Sequence, residues 1–139
     1  DTNMARVGIR KTELDRFGAV VTCFIGDPGV RARSERSGST RAHAAVDAAV
    51  GDMAGGIFVV GNAPTALLHL LELIQAGTAR PALVIGLPVG FVNAAEAKAA
   101  LVATDTPYIS NVGRKGGSNV AASVVNALAK LALEGDANA

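Results

Sequence analysis

Four short segments of the chain could together hold a charged small molecule. Three of them carry a hydroxyl, an amide or a cation, and they are Thr40-Arg41, Gly61-Asn62-Ala63-Pro64-Thr65 and Gly113-Arg114-Lys115-Gly116-Gly117-Ser118. The fourth, Gly86-Leu87-Pro88-Val89-Gly90, has no polar side chain but has the tight, stiff backbone that lets a ligand approach closely. The last three follow short apolar runs and lead towards helical patterns, as turns between a strand and a helix do. In open α/β sheets ligands bind at such turns, where helix N-termini donate backbone N–H groups to anions. The pattern predicts a binder of an anionic small molecule, or an enzyme acting on one.

Thr40-Arg41 stands at the start of a predicted helix. A cation at a helix N-terminus is unfavourable for the helix dipole, so we expect a negatively charged group beside Arg41. That group is either an anionic ligand or a structural acid, and the residues alone leave both open.

Other chemistries have little support in the sequence. One cysteine and two histidines predicted on helix surfaces make no ligand cluster, so we expect no metal site. We interpret His43 and Asp47 as a solvated pair one helical turn apart, and His69 as resting beside Glu72. Nucleotide binding is a weak alternative, because Lys115 precedes the paired glycines that a phosphate-binding lysine should follow.

Apolar runs alternate with helical patterns along the chain, which predicts one α/β domain over residues 1–139 with a mostly parallel sheet. The predicted strands are 19–25, 56–60, 81–86 and 107–111. The predicted helices lie around 11–16, from Thr40, from Gly61 to Gln75, from Asn93 to about Thr104, and after Ser118. Residues 30–39 lack periodicity and are predicted to form a mobile loop, and residues 135–139 a frayed tail.

Local caps are expected at two of these helices. Asn62 or Thr65 can cap the helix after Gly61, and Asn93 with Glu96 has the form of a capping box.

The composition limits the class of partner. Half of the 139 residues are hydrophobic, 18% are charged and the formal net charge is +1, so we expect no nucleic-acid partner. No apolar run is long enough to span a bilayer, and we expect no membrane partner. One cysteine suits a reducing, cytoplasmic location. The apolar helix from Leu67 to Ile74 predicts a homodimer.

Three long motifs resemble the signature segments of the precorrin-8X methylmutase family, which includes the cobalt-precorrin-8 methylmutases. They are Gly61-Asn62-Ala63-Pro64-Thr65-Ala66-Leu67, Gly86-Leu87-Pro88-Val89-Gly90-Phe91-Val92 and Gly113-Arg114-Lys115-Gly116-Gly117-Ser118. Residues 1–8, Thr40-Arg41 and Val124-Val125-Asn126-Ala127-Leu128 are also similar to family positions, in the same order. The resemblance covers essentially the whole chain.

The resemblance implies an isomerase of cobalamin biosynthesis that needs no cofactor. The family moves a methyl group from C-11 to C-12 of a carboxylate-rimmed corrinoid, giving hydrogenobyrinic acid or its cobalt counterpart. It also implies a three-layer Rossmann-like fold, here lacking its N-terminal portion. Arg41 and Arg114 would contact carboxylates, and Lys115 would also contact the substrate. The other implied contacts with the macrocycle are Thr40, Asn62, Ala63, Thr65, Gly86, Pro88, Val89, Gly90, Gly116, Gly117 and Ser118.

Two departures from the family pattern qualify this expectation. The family's proton-donating histidine lies in a segment upstream of Asp1, and neither His43 nor His69 occupies its motif, so no catalytic residue is assigned. The run Glu96-Ala97-Lys98 stands where the family usually has Glu-Ser-Lys. This stretch alone is therefore expected to be inactive, and a corrinoid carrier without turnover is the alternative function.

Overall fold

The computed structural model describes residues 1–137 and shows an α/β fold. Its helices are α1 Asn3–Gly8, α2 Lys11–Asp15, α3 Pro28–Ser37, α4 Arg41–Ala49, α5 Pro64–Gln75, α6 Ala94–Val102 and α7 Ser118–Ala137. Its strands are β1 Ile57–Val60, β2 Leu83–Gly86 and β3 Tyr108–Ser110. No helix among residues 1–137 is both long and apolar enough to cross a membrane.

The three strands form a parallel sheet in the order β1-β2-β3. Helix α5 connects β1 to β2, and α6 connects β2 to β3. The carboxyl ends of all three strands therefore meet at one edge of the sheet, as the alternation of apolar runs and helical patterns predicts.

Successive strand residues pack against helices on opposite faces of the sheet. Val60 and Val84 join a core with residues of α4, α5 and α6, including Val46, Leu67 and Leu101. Val59 and Ile85 pack on the other side, against α7 and the end of α1, and the residues they meet there include Ala121, Val125 and Ile9. This period of two is what a strand covered on both faces requires, and it gives the predicted three layers.

The predicted loop at 30–39 is wrong for its first eight residues, because α3 runs from Pro28 to Ser37. Asp27 caps this helix by accepting hydrogen bonds from the N–H groups of Gly29 (2.7 Å) and Val30 (3.3 Å). Gly38 ends it in the left-handed conformation, with φ 68°. Only Val30 of α3 is buried, so the helix depends on its two ends and has no apolar stripe that periodicity could detect.

The predicted strand at 19–25 is also wrong, since no residue of this stretch pairs with a strand in the described chain. Residues 19–24 and β1 instead line one cavity of about 430 Å³. Phe24 and Val21 nevertheless pack on the two main cores, which explains the apolar pattern.

The predicted tail at 135–139 differs in its first part, because α7 continues as helix through Ala137. Residues 138–139 lie outside the described residues.

Candidate functional site

Backbone hydrogen bonds join three of the predicted segments where the parallel strands end. The N–H of Val89 donates to the carbonyl of Asn62 (3.2 Å), and the N–H of Gly90 donates to the carbonyl of Arg114 (3.1 Å). The N–H of Gly117 donates to the carbonyl of Leu87 (2.9 Å). We call residues 61–63, 87–92 and 111–118 the rim.

The backbone N–H groups of the first rim turn are not available to a ligand, which corrects the sequence-based expectation. The carboxylate of Asp1 accepts hydrogen bonds from Gly61 (2.8 Å), Asn62 (2.9 Å) and Ala63 (2.7 Å). Asp1 is therefore the acid that caps the N-terminus of α5, and its charge is favourable at that end of the helix dipole. Neither Asn62 nor Thr65 serves as the cap, because the N-cap position is Ala63.

Gly61 lets β1 approach the start of α7 closely. A Cβ atom at this position would lie 2.7 Å from Cα of Ser118 and 3.1 Å from its backbone N. Ser118 is buried, and its hydroxyl lies 2.6 Å from the hydroxyl of Thr2. Thr2 therefore packs against two residues of the rim, Gly61 and Ser118, in one tight junction, and the Ser118 hydroxyl is engaged within the protein.

The basic turn at 113–117 is held from below by Lys98, whose side chain is only 1% exposed. Its ammonium donates to the carbonyls of Gly113 (3.0 Å) and Lys115, and Asn111 Nδ2 donates to the same Lys115 carbonyl (3.0 Å). Burial lowers the pKa of Lys98, because removal from water disfavours the charged ammonium. Lys98 therefore shapes the turn that presents Arg114 without reaching the surface itself.

Arg114 and a group of apolar side chains form the outer surface of the rim. The guanidinium carbon of Arg114 lies 5.8 Å from the centre of the Phe91 ring, within the range of a cation–π contact. Phe91 is 88% exposed, and the other exposed apolar rim residues are Val89, Val92 and Val112. Lys115 is exposed beside them. The rim thus offers both apolar and cationic contacts to a ligand.

Gly116 allows the basic turn to pass directly over the second rim turn. A Cβ atom here would overlap the carbonyl oxygens of Leu87 and Pro88, the latter at 2.6 Å. A residue with a side chain would therefore push these two turns apart.

Thr40 and Arg41 stand apart from the three joined turns. Thr40 caps α4 by accepting a hydrogen bond from the N–H of His43 (3.1 Å), and Arg41 is the exposed first residue of the helix. Within residues 1–137, no hydrogen bond ties Thr40 or Arg41 to the rim, and no ion pair satisfies Arg41.

The predicted site residues divide by exposure. Thr40, Arg41, Asn62, Thr65, Val89, Arg114 and Lys115 are exposed, and Ala63, Gly90, Gly116 and Gly117 are half-buried. Gly86 and Pro88 are buried like Ser118, so these positions can shape the rim but do not face a ligand freely. A Cβ atom at Gly86 would lie 2.5 Å from Cδ2 of Leu101.

The sequence suggested that the two histidines lie separately on helix surfaces, but the structure brings them together. Packing of α4 on α5 stacks the rings of His43 and His69, with centroids 3.4 Å apart, and brings both beside Asp47. The expectation that the histidines form no ligand cluster is therefore wrong, since potential ligand atoms of His43, Asp47 and His69 lie within 4.8 Å of one another.

Sequence reasoning missed the two residues that fix the geometry of the rim. Asp1 acts on a helix 60 positions away, and only its place in a motif shared with the family marked it. Lys98 stands two residues after Glu96, and the sequence predicts a capping box of Asn93 and Glu96 there. Asn93 instead precedes α6 with φ 63° and makes no side-chain cap within the described chain, so that assignment was wrong.

Comparisons with known proteins agree on one family. The profile described as Precorrin-8X methylmutase matches residues 1–131. The chain is 46% identical over 135 residues to a cobalt-precorrin-8 methylmutase of Priestia megaterium, covering 97% of this chain and 60% of that protein. It is 42% identical to a precorrin-8X methylmutase of Pseudomonas aeruginosa, covering 93% and 62%.

A solved structure gives the same result. The crystal structure of precorrin-8X methyl mutase from Thermus thermophilus superposes with a TM-score of 0.89 at 46% identity, covering 97% of this chain and 65% of that one. The chain thus spans about three fifths of the length of these relatives.

Proposed function

The chain belongs to the precorrin-8X methylmutase family, and from this we propose that it forms the corrinoid-binding part of a cobalamin-pathway isomerase. The reaction moves a methyl group from C-11 to C-12 of precorrin-8X, giving hydrogenobyrinic acid, or does the same on the cobalt-containing counterpart. The methyl group stays within one molecule, and the proposal includes no cofactor.

The rim is the observation that carries this proposal. A corrinoid presents a large, partly apolar ring with carboxylates around its edge. Exposed Phe91, Val92 and Val112 match the ring, while Arg114 and Lys115 match the carboxylates. A guanidinium can pair with a carboxylate through two parallel hydrogen bonds, which fixes orientation as well as adding affinity.

This part of the protein would act mainly by positioning. Arg114 and Arg41 would bind carboxylates of the macrocycle and hold it in one orientation. The substrate then loses less entropy on reaching the geometry in which the methyl group migrates. The proton donor is assigned to the family's histidine, which matches no position in this sequence. His43 and His69 are stacked on each other between α4 and α5, and neither belongs to the rim.

We also propose a homodimer and a cytoplasmic location. The apolar side chains of α5 pack within this chain, so they are little evidence for a dimer interface on that helix. Exposed apolar residues outside the rim support it better, among them Met4, Val7 and Leu131, because a second subunit would cover them. The single, free Cys23 suits a reducing compartment. Light scattering tests the dimer, and a monomeric mass contradicts it.

Visible absorbance tests the binding proposal directly. Titration with hydrogenobyrinic acid should shift the corrinoid spectrum and saturate, whereas ATP should not compete. Arg114→Ala should weaken binding about tenfold, or about 1.4 kcal/mol, and Arg114→Lys should recover part of the loss. Arg36→Ala, on exposed α3, is the matched control. Competition by ATP, or equal affinity in Arg114→Ala and the control, contradicts the assignment.

Turnover separates the enzyme from a carrier. Incubating precorrin-8X with a form of the protein that has the full length of its relatives should yield hydrogenobyrinic acid. Tight binding without that product supports the carrier instead.

A further inference from the structure

Three potential metal ligands meet where α4 packs against α5. His43 and Asp47 lie one turn apart on α4, and His69 is on the second turn of α5. One ligand atom from each side chain lies within 4.8 Å of the other two. This cluster is distinct from the rim, and nothing in the proposed reaction uses it.

His69 lies between two carboxylates. Its Nε2 is 2.6 Å from Asp47 Oδ1, and its Nδ1 is 3.3 Å from Glu72 Oε2. A neutral imidazole has one N–H group and can donate to only one of them. If Nδ1–H donates to Glu72, the lone pair of Nε2 faces an oxygen that also has only lone pairs. In that tautomer Nε2 and Asp47 Oδ1 must share a cation, which is either a proton or a metal ion. In the other tautomer Nε2–H donates to Asp47, and Nδ1 has no proton to give to Glu72.

His43 adds a second nitrogen beside the same carboxylate. Its Nδ1 atom is buried, has no hydrogen-bond partner among the described residues, and lies 3.9 Å from Asp47 Oδ2. That distance is too long for a hydrogen bond. A proton on His69 would satisfy Asp47 but leave His43 Nδ1 without a partner, whereas a metal ion can accept all three lone pairs.

We propose that His43, Asp47 and His69 bind one divalent first-row transition-metal ion, of which Zn²⁺ fits the donor set best. Two imidazole nitrogens and one carboxylate oxygen are common zinc ligands, with a fourth position left for water. Glu72 would orient His69 through Nδ1–H, as carboxylates commonly do for metal-bound histidines.

Metal binding requires the two rings to turn out of their stack, because lone pairs in parallel planes do not point to one ion. His43 can turn most readily, since its side chain is 37% exposed and its Nδ1 makes no hydrogen bond. The ion would then clamp α4 to α5. The first turns of these helices carry Arg41 and Thr65, so the clamp would fix two predicted corrinoid-binding elements relative to each other.

Calorimetric titration of the chelator-treated protein with Zn²⁺ alone tests this site. We expect one equivalent to bind and the melting temperature to rise, because the metal binds the folded state preferentially. His43→Ala and Asp47→Asn should abolish both effects, while Asp105→Asn, which changes an exposed acid in the loop between α6 and β3, should leave them unchanged. Binding that survives in His43→Ala and Asp47→Asn overturns the proposal, as does the absence of saturable binding in the wild type.

The variants of the three ligands could lose zinc binding simply because they fail to fold. Glu72→Gln avoids this ambiguity, because it leaves all three ligands in place. We expect its affinity for Zn²⁺ to fall about 10- to 100-fold at an unchanged melting temperature of the metal-free protein. An affinity equal to that of the wild type contradicts the role of Glu72. Failure of zinc binding leaves the corrinoid proposal standing, since the two are measured with different ligands.

Discussion

The carboxylate of Asp1 accepts a hydrogen bond from the backbone N–H of Ala63 at 2.7 Å, across 62 positions of the chain. Together with its bonds to Gly61 and Asn62, this contact makes Asp1 the cap of α5. The start of the chain is thus part of the frame of the rim.

Replacing Asp1 with Ala should destabilise the protein by about 1–2 kcal/mol, because three backbone N–H groups lose their acceptor and the helix loses a favourable charge. Asp1→Asn should cost less, since an amide oxygen can still accept one of these bonds. Urea unfolding measures the change, and Asp52→Asn on the exposed turn after α4 is the control. Equal stability of Asp1→Ala and the control would show that the cap contributes nothing.

Gly61→Ala should destabilise the protein by about 1–3 kcal/mol, because the new methyl group would press on the backbone of the buried Ser118. Gly135→Ala is a matched control within α7, where a Cβ atom meets nothing within 4 Å. That change should be neutral or should stabilise the helix by up to about 1 kcal/mol. Thermal unfolding of both variants distinguishes overpacking from a general effect of adding a methyl group.

Lys98→Met should destabilise the protein by about 1–2 kcal/mol, since the carbonyls of Gly113 and Lys115 lose a charged donor while the desolvation cost of the ammonium is removed. Lys130→Met is the control, because Lys130 is exposed on α7. A loss of stability no larger than that of the control would contradict the supporting role of Lys98.

The effect of Lys98 should also depend on pH. Burial lowers its pKa in the folded protein below the usual 10.5, so between these two values the unfolded chain binds more protons than the folded chain. The free energy of unfolding therefore gains a contribution that rises with pH in that window and is complete above 10.5. Lys98→Met lacks this contribution, and the difference between wild type and variant should widen as the pH approaches 10.5.

Arg41→Ala should weaken corrinoid binding without lowering stability. The cation occupies the unfavourable end of the α4 dipole and has no ion-pair partner in the described chain, so its removal should leave stability unchanged or raise it slightly. The affinity loss should shrink as salt is added, because exposed charges are screened. A dissociation constant that matches wild type at both low and high salt rejects the role of Arg41.

Much of the frame could be predicted from short-range patterns. The apolar runs before Gly61, Gly86 and Asn111 indicate the three paired strands, and apolar residues at helical spacing indicate α4, α5 and α7. Helix α6 is predicted from a capping box at Asn93 and Glu96, which the described chain does not contain. The joining of three turns into one rim follows from parallel strands, whose carboxyl ends must share an edge.

The remaining features depend on contacts that no local pattern records. Asp1 caps a helix 62 positions later, Lys98 reaches a turn 15 positions later, and His69 meets Asp47 across two helices. Helix α3 was missed for the opposite reason. It buries almost no apolar surface, so it has no hydrophobic periodicity by which a helix could be predicted.

The three rim turns are fastened to one another through main-chain atoms. Three backbone N–H groups donate to backbone carbonyls, in the pairs Val89–Asn62, Gly90–Arg114 and Gly117–Leu87. These three links therefore do not depend on the side chains at those positions. On the proposed function, substitutions at Phe91, Val92 or Val112 should change which ring substituents the rim accommodates while its backbone frame stays in place. These are the positions to vary in a search for variants that bind altered tetrapyrroles.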